Sequence, residues 1–200
     1  MANLSGRAIA LGIAFAAVST VAEALPRLPA PQGGSAGKSI SKIVEADLQP
    51  TPIGYVLFCV NNPYQCRRVA GGRRMPLNER TWNLISSVNQ QVNARISPDA
   101  KKGTADWSLT TTYGNCNDYA VQKRDELIRR GVAPAALSLS VVVTPSNEGH
   151  LILTVRTDQG DFVLDNLRNG IVAWNKTGYR WVSVQSSVNP NAWVKVASES

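Results

Sequence analysis

Apolar positions recur at helical spacing in the first half of the globular sequence and alternate in the second half. Leu84, Ile85, Val88, Val92 and Ile96 fall every three or four residues, on one face of a helix. Asn78 stands before them as a candidate N-cap, Glu79 falls in the first turn, and Pro98 lies just past the end. A second helix is predicted over Cys116–Arg130. Ala120, Leu127 and Ile128 would face a core, and Asp118 complements the positive end of the helix dipole. Arg129 and Arg130 complement the negative end, and Gly131 is the expected C′ residue.

Beyond that helix the period changes to two. Leu137–Val143 is rich in β-branched residues, and His150–Arg156 and Asp161–Leu167 flank a turn at Asp158-Gln159-Gly160. Runs around Ile171–Trp174, Tyr179–Val184 and Ala192–Val196 supply further strands. Helices first and an antiparallel sheet second is an α+β arrangement. Segregating the apolar residues of the hairpin sets Thr157 opposite Gly160, Val155 opposite Phe162 and Leu153 opposite Leu164. The other face then pairs Arg156 with Asp161, Thr154 with Val163 and Ile152 with Asp165, with His150 two residues further along. Diagonal neighbours on one face lie within reach of longer side chains. A one-residue slip would send Asp165 to the face opposite His150, and a three-residue loop with a bulge at Gly160 would break the same parity.

The N-terminus has a different character. Arg7 precedes an apolar run from Ala8 to Val21, and Ala22-Glu23-Ala24 has the small-x-small pattern of a processing site, which predicts a signal peptide over residues 1–24. The run is shorter than the roughly 20 residues a bilayer-spanning helix needs. Residues 25–50, with Pro26, Pro29, Pro31, Gly33, Gly34 and Gly37, read as a flexible mature N-terminus. Residues 51–200 read as one globular domain without internal repeats. The expected location is periplasmic or secreted.

The net charge of +7 fits an acidic partner or an anionic envelope surface. The basic residues are dispersed as Arg67-Arg68, Arg73-Arg74, Lys101-Lys102 and Arg129-Arg130, without interleaved aromatics, so no nucleic-acid partner is expected. Three cysteines in an exported chain predict one disulfide and one free thiol. Cys59 and Cys66 are close in sequence, with Asn61-Asn62-Pro63 to turn the chain between them. Cys116 would remain reduced.

Cys116 thus begins a helix, the sole histidine, His150, begins a strand, and Asp165 ends the next strand. Each has an ordinary structural reading when taken alone. Together, in this order, they form a candidate Cys-His-Asp nucleophilic triad, with the thiol as nucleophile, the imidazole as its base, and the carboxylate fixing the imidazole's tautomer. The backbone N–H of Cys116 is the natural oxyanion donor. Asn115, Tyr113, Gln90 and Gln91 are side-chain candidates among which spacing does not choose. A rival use of the same residues is a Cys₃His zinc set of Cys59, Cys66, Cys116 and His150. The Cys59–Cys66 interval is longer than a zinc knuckle, and export favours oxidation, so no metal is expected there.

Gly114-Asn115-Cys116-Asn117-Asp118-Tyr119-Ala120 with Lys123 resembles the G-D-C-E-D-Y-A-x-x-K signature of the bacterial transglutaminase-like cysteine proteinases. Gly149-His150-Leu151-Ile152-Leu153 and Val163-Leu164-Asp165-Asn166 resemble that family's second and third motifs. Asp106-Trp107 and the Phe58-Cys59…Pro63…Cys66 segment also fit, so the resemblance runs from about Pro52 to Trp181. It implies a papain-like or transglutaminase-like fold, with Cys116 as nucleophile, His150 as general base and acid, and Asp165 as orienting carboxylate. It also implies a protein or peptide substrate in the cell envelope. The best-understood relatives are periplasmic proteases that release a surface adhesin; they bind calcium through acids flanking the cysteine and are sequestered by a membrane receptor. In this chain Asn115 and Asn117 replace two of those acids and only Asp118 is kept, so no calcium requirement and no cofactor are expected. Transfer to an amine in place of water, and a non-catalytic envelope binding module with a relic triad, are the alternative readings. A monomer is the default.

Overall fold

The computed structural model describes residues 41–68 and 70–197. The expected signal peptide and residues 25–40 lie outside the described residues. The last residues of the segment expected to be flexible are strand β1 (Glu45–Gln49).

Helix α1 (Ile53–Asn61) follows, starting after Pro52. Sequence periodicity did not predict it, because it is apolar nearly all round. Only Gly54, Tyr55 and Phe58 are buried, while Ile53, Val56, Leu57 and Val60 are exposed. A 3-10 turn, Pro63–Cys66, reverses the chain and brings Cys66 to Cys59 as the expected disulfide. The pairing removes both sulfurs from any zinc set and leaves Cys116 as the free cysteine of the described residues. Arg124, fully buried, ties this turn to the rest of the molecule by donating to the Gln65 backbone carbonyl and side-chain oxygen.

Helix α2 (Glu79–Arg95) begins where the sequence predicted. Asn78 Oδ1 accepts from Thr81 N at 3.0 Å, and Thr81 Oγ1 accepts from Asn78 N at 2.9 Å, closing a reciprocal cap. Two short strands, β2 (Ser97–Pro98) and β3 (Tyr113–Gly114), pair in parallel around the intervening loop. Helix α3 (Cys116–Arg129) starts at the cysteine and is capped by Arg130, with Gly131 at φ +89° in the C′ position.

The remaining strands are β4 (Leu137–Val143), β5 (Gly149–Thr157), β6 (Gly160–Leu164), β7 (Val172–Ala173), β8 (Arg180–Gln185) and β9 (Trp193–Val196). They join β1 in a seven-stranded antiparallel sheet of order β1-β9-β8-β4-β5-β6-β7. The β5–β6 hairpin has the register that apolar segregation requires: Thr157↔Gly160, Val155↔Phe162 and Leu153↔Leu164. β6 stops at Leu164 instead of Leu167, because Asp165 turns the chain by accepting from Leu167 N at 3.0 Å.

One face of the sheet packs on the helices. Leu139, Leu151, Leu153, Val155 and Leu164 meet Ile85, Val88 and Val92 of α2 and Ala120, Val121 and Leu127 of α3. The other face carries a smaller cluster of Ile43, Val142, Ile152, Val163, Trp174, Val184 and Val194. The segment before β1 lies against that second cluster. Ser41 O accepts from Asp161 N, Ile43 N donates to Asp161 Oδ2 at 2.7 Å, and Arg74 Nη1 bridges to Asp161 Oδ1 at 2.6 Å. One buried residue therefore ties the segment before β1 and the stretch at Arg74 to β6.

Candidate active site

The cysteine stands where it does because of a rigid turn before it. Asn115 is the N-cap of α3; its Oδ1 accepts from Asn117 N at 3.1 Å, and Asp118 Oδ2 accepts from Asn115 N at 2.9 Å. Asp118 lies so close to position 114, just before the cap, that only glycine fits there. A Cβ on Gly114 would come 2.4 Å from Asp118 Oδ2. Cys116 is thereby presented in the first turn of the helix, half-buried. Its backbone N–H finds no protein acceptor among the described residues, as the first-turn position dictates.

His150 comes from the start of β5, beside Val142 of β4. Its ring is buried, and Nε2 lies 2.8 Å from Asp165 Oδ1. Nε2 is thus engaged by the carboxylate, leaving Nδ1 for a partner on the cleft side. Cys116, Asn117, His150 and Asn166 line one cleft of about 530 Å³, walled also by Pro98, Asp99 and Glu148. A larger groove of about 800 Å³ lies by the start of α2 and the end of α3 and is lined by none of Cys116, His150 and Asp165.

Asp165 is fully buried and four groups converge on it. Oδ1 accepts from His150 and from Leu167 N; Oδ2 accepts from Tyr179 Oη at 2.6 Å and sits 3.5 Å from Arg168 Nε. Burial alone would raise its pKa, but the hydrogen bonds from His150, Tyr179 and Leu167 N outweigh that and hold it down at about 2. Burial likewise pulls the imidazole down. Hydrogen bonding to Asp165 and to Cys116, and the negative charge of both, more than reverse this and push His150 up to about 9. Near neutral pH the arrangement favours an imidazolium held by the ionised Asp165 carboxylate, in the cleft that Cys116 also lines.

Several site residues carried no signal in the periodicity. Tyr179 donates to Asp165, accepts from Arg168 Nη2 at 3.2 Å, and meets the His150 ring edge-on at 5.9 Å between centroids. Asn93 of α2 donates from Nδ2 to the Asp165 carbonyl at 2.9 Å, fixing the backbone below the carboxylate. The polar pair Asn89 and Asn93 on the buried face of α2 was the one trace of this in the sequence. Lys123, in the signature and fully buried, has its pKa pushed down to about 7 by burial, against the pull of the Asp165 charge.

The oxyanion candidates separate. The backbone N–H of Cys116 is free to serve. Asn115 is not: its Nδ2 points at the carbonyls of Lys102 and Gly103, 3.2 and 3.4 Å away. Tyr113 is exposed and does not line the cleft. Gln91 accepts from Arg130 at the far end of α2, and Gln90 lines a separate recess with Asn93 and Tyr119.

The sequence profile described as bacterial transglutaminase-like cysteine proteinase, BTLCP, matches residues 45–200. No curated protein matches the chain. Among solved structures, Legionella pneumophila LapG (EGTA-treated) matches with a TM-score of 0.50 and 20% identity, covering 60% of this chain and 69% of that one. Legionella pneumophila LapG (calcium-bound) matches with a TM-score of 0.49 and 19% identity, covering 60% and 73%.

Proposed function

The chain belongs to the bacterial transglutaminase-like cysteine proteinases and is a cysteine peptidase, and we propose that it is exported and cleaves a cell-envelope protein through Cys116, His150 and Asp165. The observation that supports these roles best is the buried 2.8 Å bond between His150 Nε2 and Asp165 Oδ1 beside a free cysteine at a helix start.

In this reading the Cys116 thiolate attacks the scissile carbonyl carbon. The carbonyl π electrons move to oxygen, and the resulting oxyanion takes a hydrogen bond from the Cys116 N–H. When the intermediate collapses, the C–N bond breaks and His150 gives its proton to the leaving amine. A thioester remains on Cys116. Water then attacks the thioester, His150 takes its proton, and the carboxylic acid and thiolate are released. Asp165 stays ionised throughout and stabilises the imidazolium, with Tyr179 and Arg168 holding its second oxygen. Substrates would cross the cleft between the loop at Pro98–Thr104 and the turn at Thr144–Gly149.

Export is part of the proposal. It rests on the N-terminal pattern and the Cys59–Cys66 disulfide, and no helix among the described residues is long and apolar enough to cross a membrane. Alkylation by iodoacetamide tests the triad without a known substrate. Cys116 should react well below pH 8.5, and His150→Ala should abolish that enhancement. Reactivity of an ordinary thiol, indifferent to His150, would refute the assignment. Comparing envelope proteomes of cells carrying native protein or Cys116→Ser would then identify the substrate, and incorporation of an added amine in place of water would redirect the reading to acyl transfer.

A further inference from the structure

The loop that faces the nucleophile helix is held by nitrogen donors. Asp118 Oδ1 accepts from Lys102 Nζ at 2.5 Å and from Ser108 N at 2.8 Å, while Oδ2 accepts from Asn115 N. The carboxylate is completely buried, and the Lys102 side chain retains only 10% exposure. The backbone carbonyls around it are also occupied. Thr104 O accepts from Asn117 Nδ2 at 3.0 Å and from Trp107 Nε1 at 2.9 Å, and the carbonyls of Lys102 and Gly103 face Asn115 Nδ2. The amide orientation at Asn115 is fixed by chemistry: Oδ1 is needed to cap Asn117 N, so the amino group must face the carbonyls.

A calcium ion needs six to eight oxygen ligands at roughly 2.3–2.6 Å, with carboxylates to offset its dehydration. Here the single carboxylate at the helix start is spent on an ammonium and two backbone N–H groups. The carbonyls that could coordinate an ion point at amide N–H donors. The residues present do not fit calcium.

We propose that the Lys102 ammonium is a built-in counter-ion that takes over the work of a bound divalent cation at this position. It neutralises Asp118, and with the Asn115 and Asn117 amides it fastens residues 102–108 to the start of α3, holding Cys116 in the cleft without metal. Asp106, 3.7 Å from Lys102 Nζ but largely solvated, adds little to the ammonium's restraint. Lys102 is therefore a positioning residue: it acts on the thiol through Asp118 and the Asn115 turn.

Thermal melting of the purified processed protein tests this, and the melting reading does not depend on turnover, so it stands even if the peptidase roles fail. The native protein should melt at the same temperature in chelator and in millimolar calcium. Lys102→Met, which leaves Asp118 buried and unpaired, should lower Tm by about 6–12 °C. Lys102→Arg should restore most of the loss and the rate of Cys116 alkylation, which simple damage to the fold would not predict. The triple variant Lys102→Met, Asn115→Asp, Asn117→Asp replaces the ammonium and two amides by carboxylates and should regain stability on addition of calcium. Calcium stabilisation of the native protein at micromolar concentration would overturn the proposal. So would Lys102→Met melting and alkylating like the native protein. If Lys102→Met does not fold, the native calcium titration and Lys102→Arg still decide the question.

Discussion

The sharpest test of the site exploits its one histidine. Because His150 is the sole imidazole of the chain, its ring protons can be assigned in an untagged sample without mutagenesis. The structure places its titration at about 9, raised from 6.5, and that of Asp165 at about 2, lowered from 3.8. At 1.36 kcal/mol per pH unit these displacements correspond to about 3 and about 2 kcal/mol. Neither figure belongs to the pair alone, since His150 also feels Cys116, Asp165 also accepts from Tyr179 and Leu167 N, and burial opposes both shifts. Asp165→Asn keeps the shape and one acceptor but removes the charge. The His150 titration should then fall by roughly 1.5 pH units, toward 7. The sign of the stability effect follows from linkage. A raised histidine pKa contributes stability that is full below about 6.5 and disappears as pH rises through about 9. The lowered Asp165 pKa makes the same interaction fade only as pH falls through about 2. Native protein should thus lose roughly 2 kcal/mol between pH 6.5 and 9.5 that Asp165→Asn does not lose. NMR titration of the His150 ring and chemical denaturation across that range supply both readings. A native His150 titrating near 6.5, or one unmoved by Asp165→Asn, would refute the geometry from which the triad is argued.

Tyr179→Phe removes one hydrogen bond to the Asp165 carboxylate but leaves the histidine contact; it should raise the Asp165 titration from about 2, seen by NMR of the side-chain carboxyl, while His150 still titrates at about 9 or above. Gly114→Ala forces a Cβ into Asp118 and should cost about 1–3 kcal/mol, seen as a lower denaturation midpoint, together with slower alkylation of Cys116 because the Asn115 turn must shift.

The parts of this molecule that follow a period were legible in the sequence. The β5–β6 register was set by where Leu153, Val155, Phe162 and Leu164 had to point, and it carried Asp165 to the His150 face as a by-product. Asn78 and Cys116 marked helix starts because capping chemistry is local. What escaped was either aperiodic or distant. Helix α1 has no polar face to betray it, since its exposed side is as apolar as its buried one. Tyr179 looked like the start of one more strand, and its place beside Asp165 depends on how β8 and the turn after β6 converge. Asn115 was one of several candidate oxyanion donors, yet its neighbours at residues 102 and 103, visible only in three dimensions, commit it to the cap and the loop. Lys102 itself read as half of a surface basic pair.

The segment pinned by Asp161 has a consequence for how the chain acquires its structure. Residues 41–49 are synthesised early, but their partners come late: Ile43 waits for Asp161, and Glu45 and Gln49 pair with Val196 and Trp193 near the end of the sequence. Loop-closure entropy on that scale opposes early docking, so this contact belongs among the last to form. Until β9 exists, β1 has no ladder to join and the Ile152–Val163 face lacks its Ile43 cover. This edge of the sheet is therefore sealed after helix α3 and the β5–β6 hairpin can already have packed. A chain emerging N-terminus first stays open along that edge until β9 has arrived.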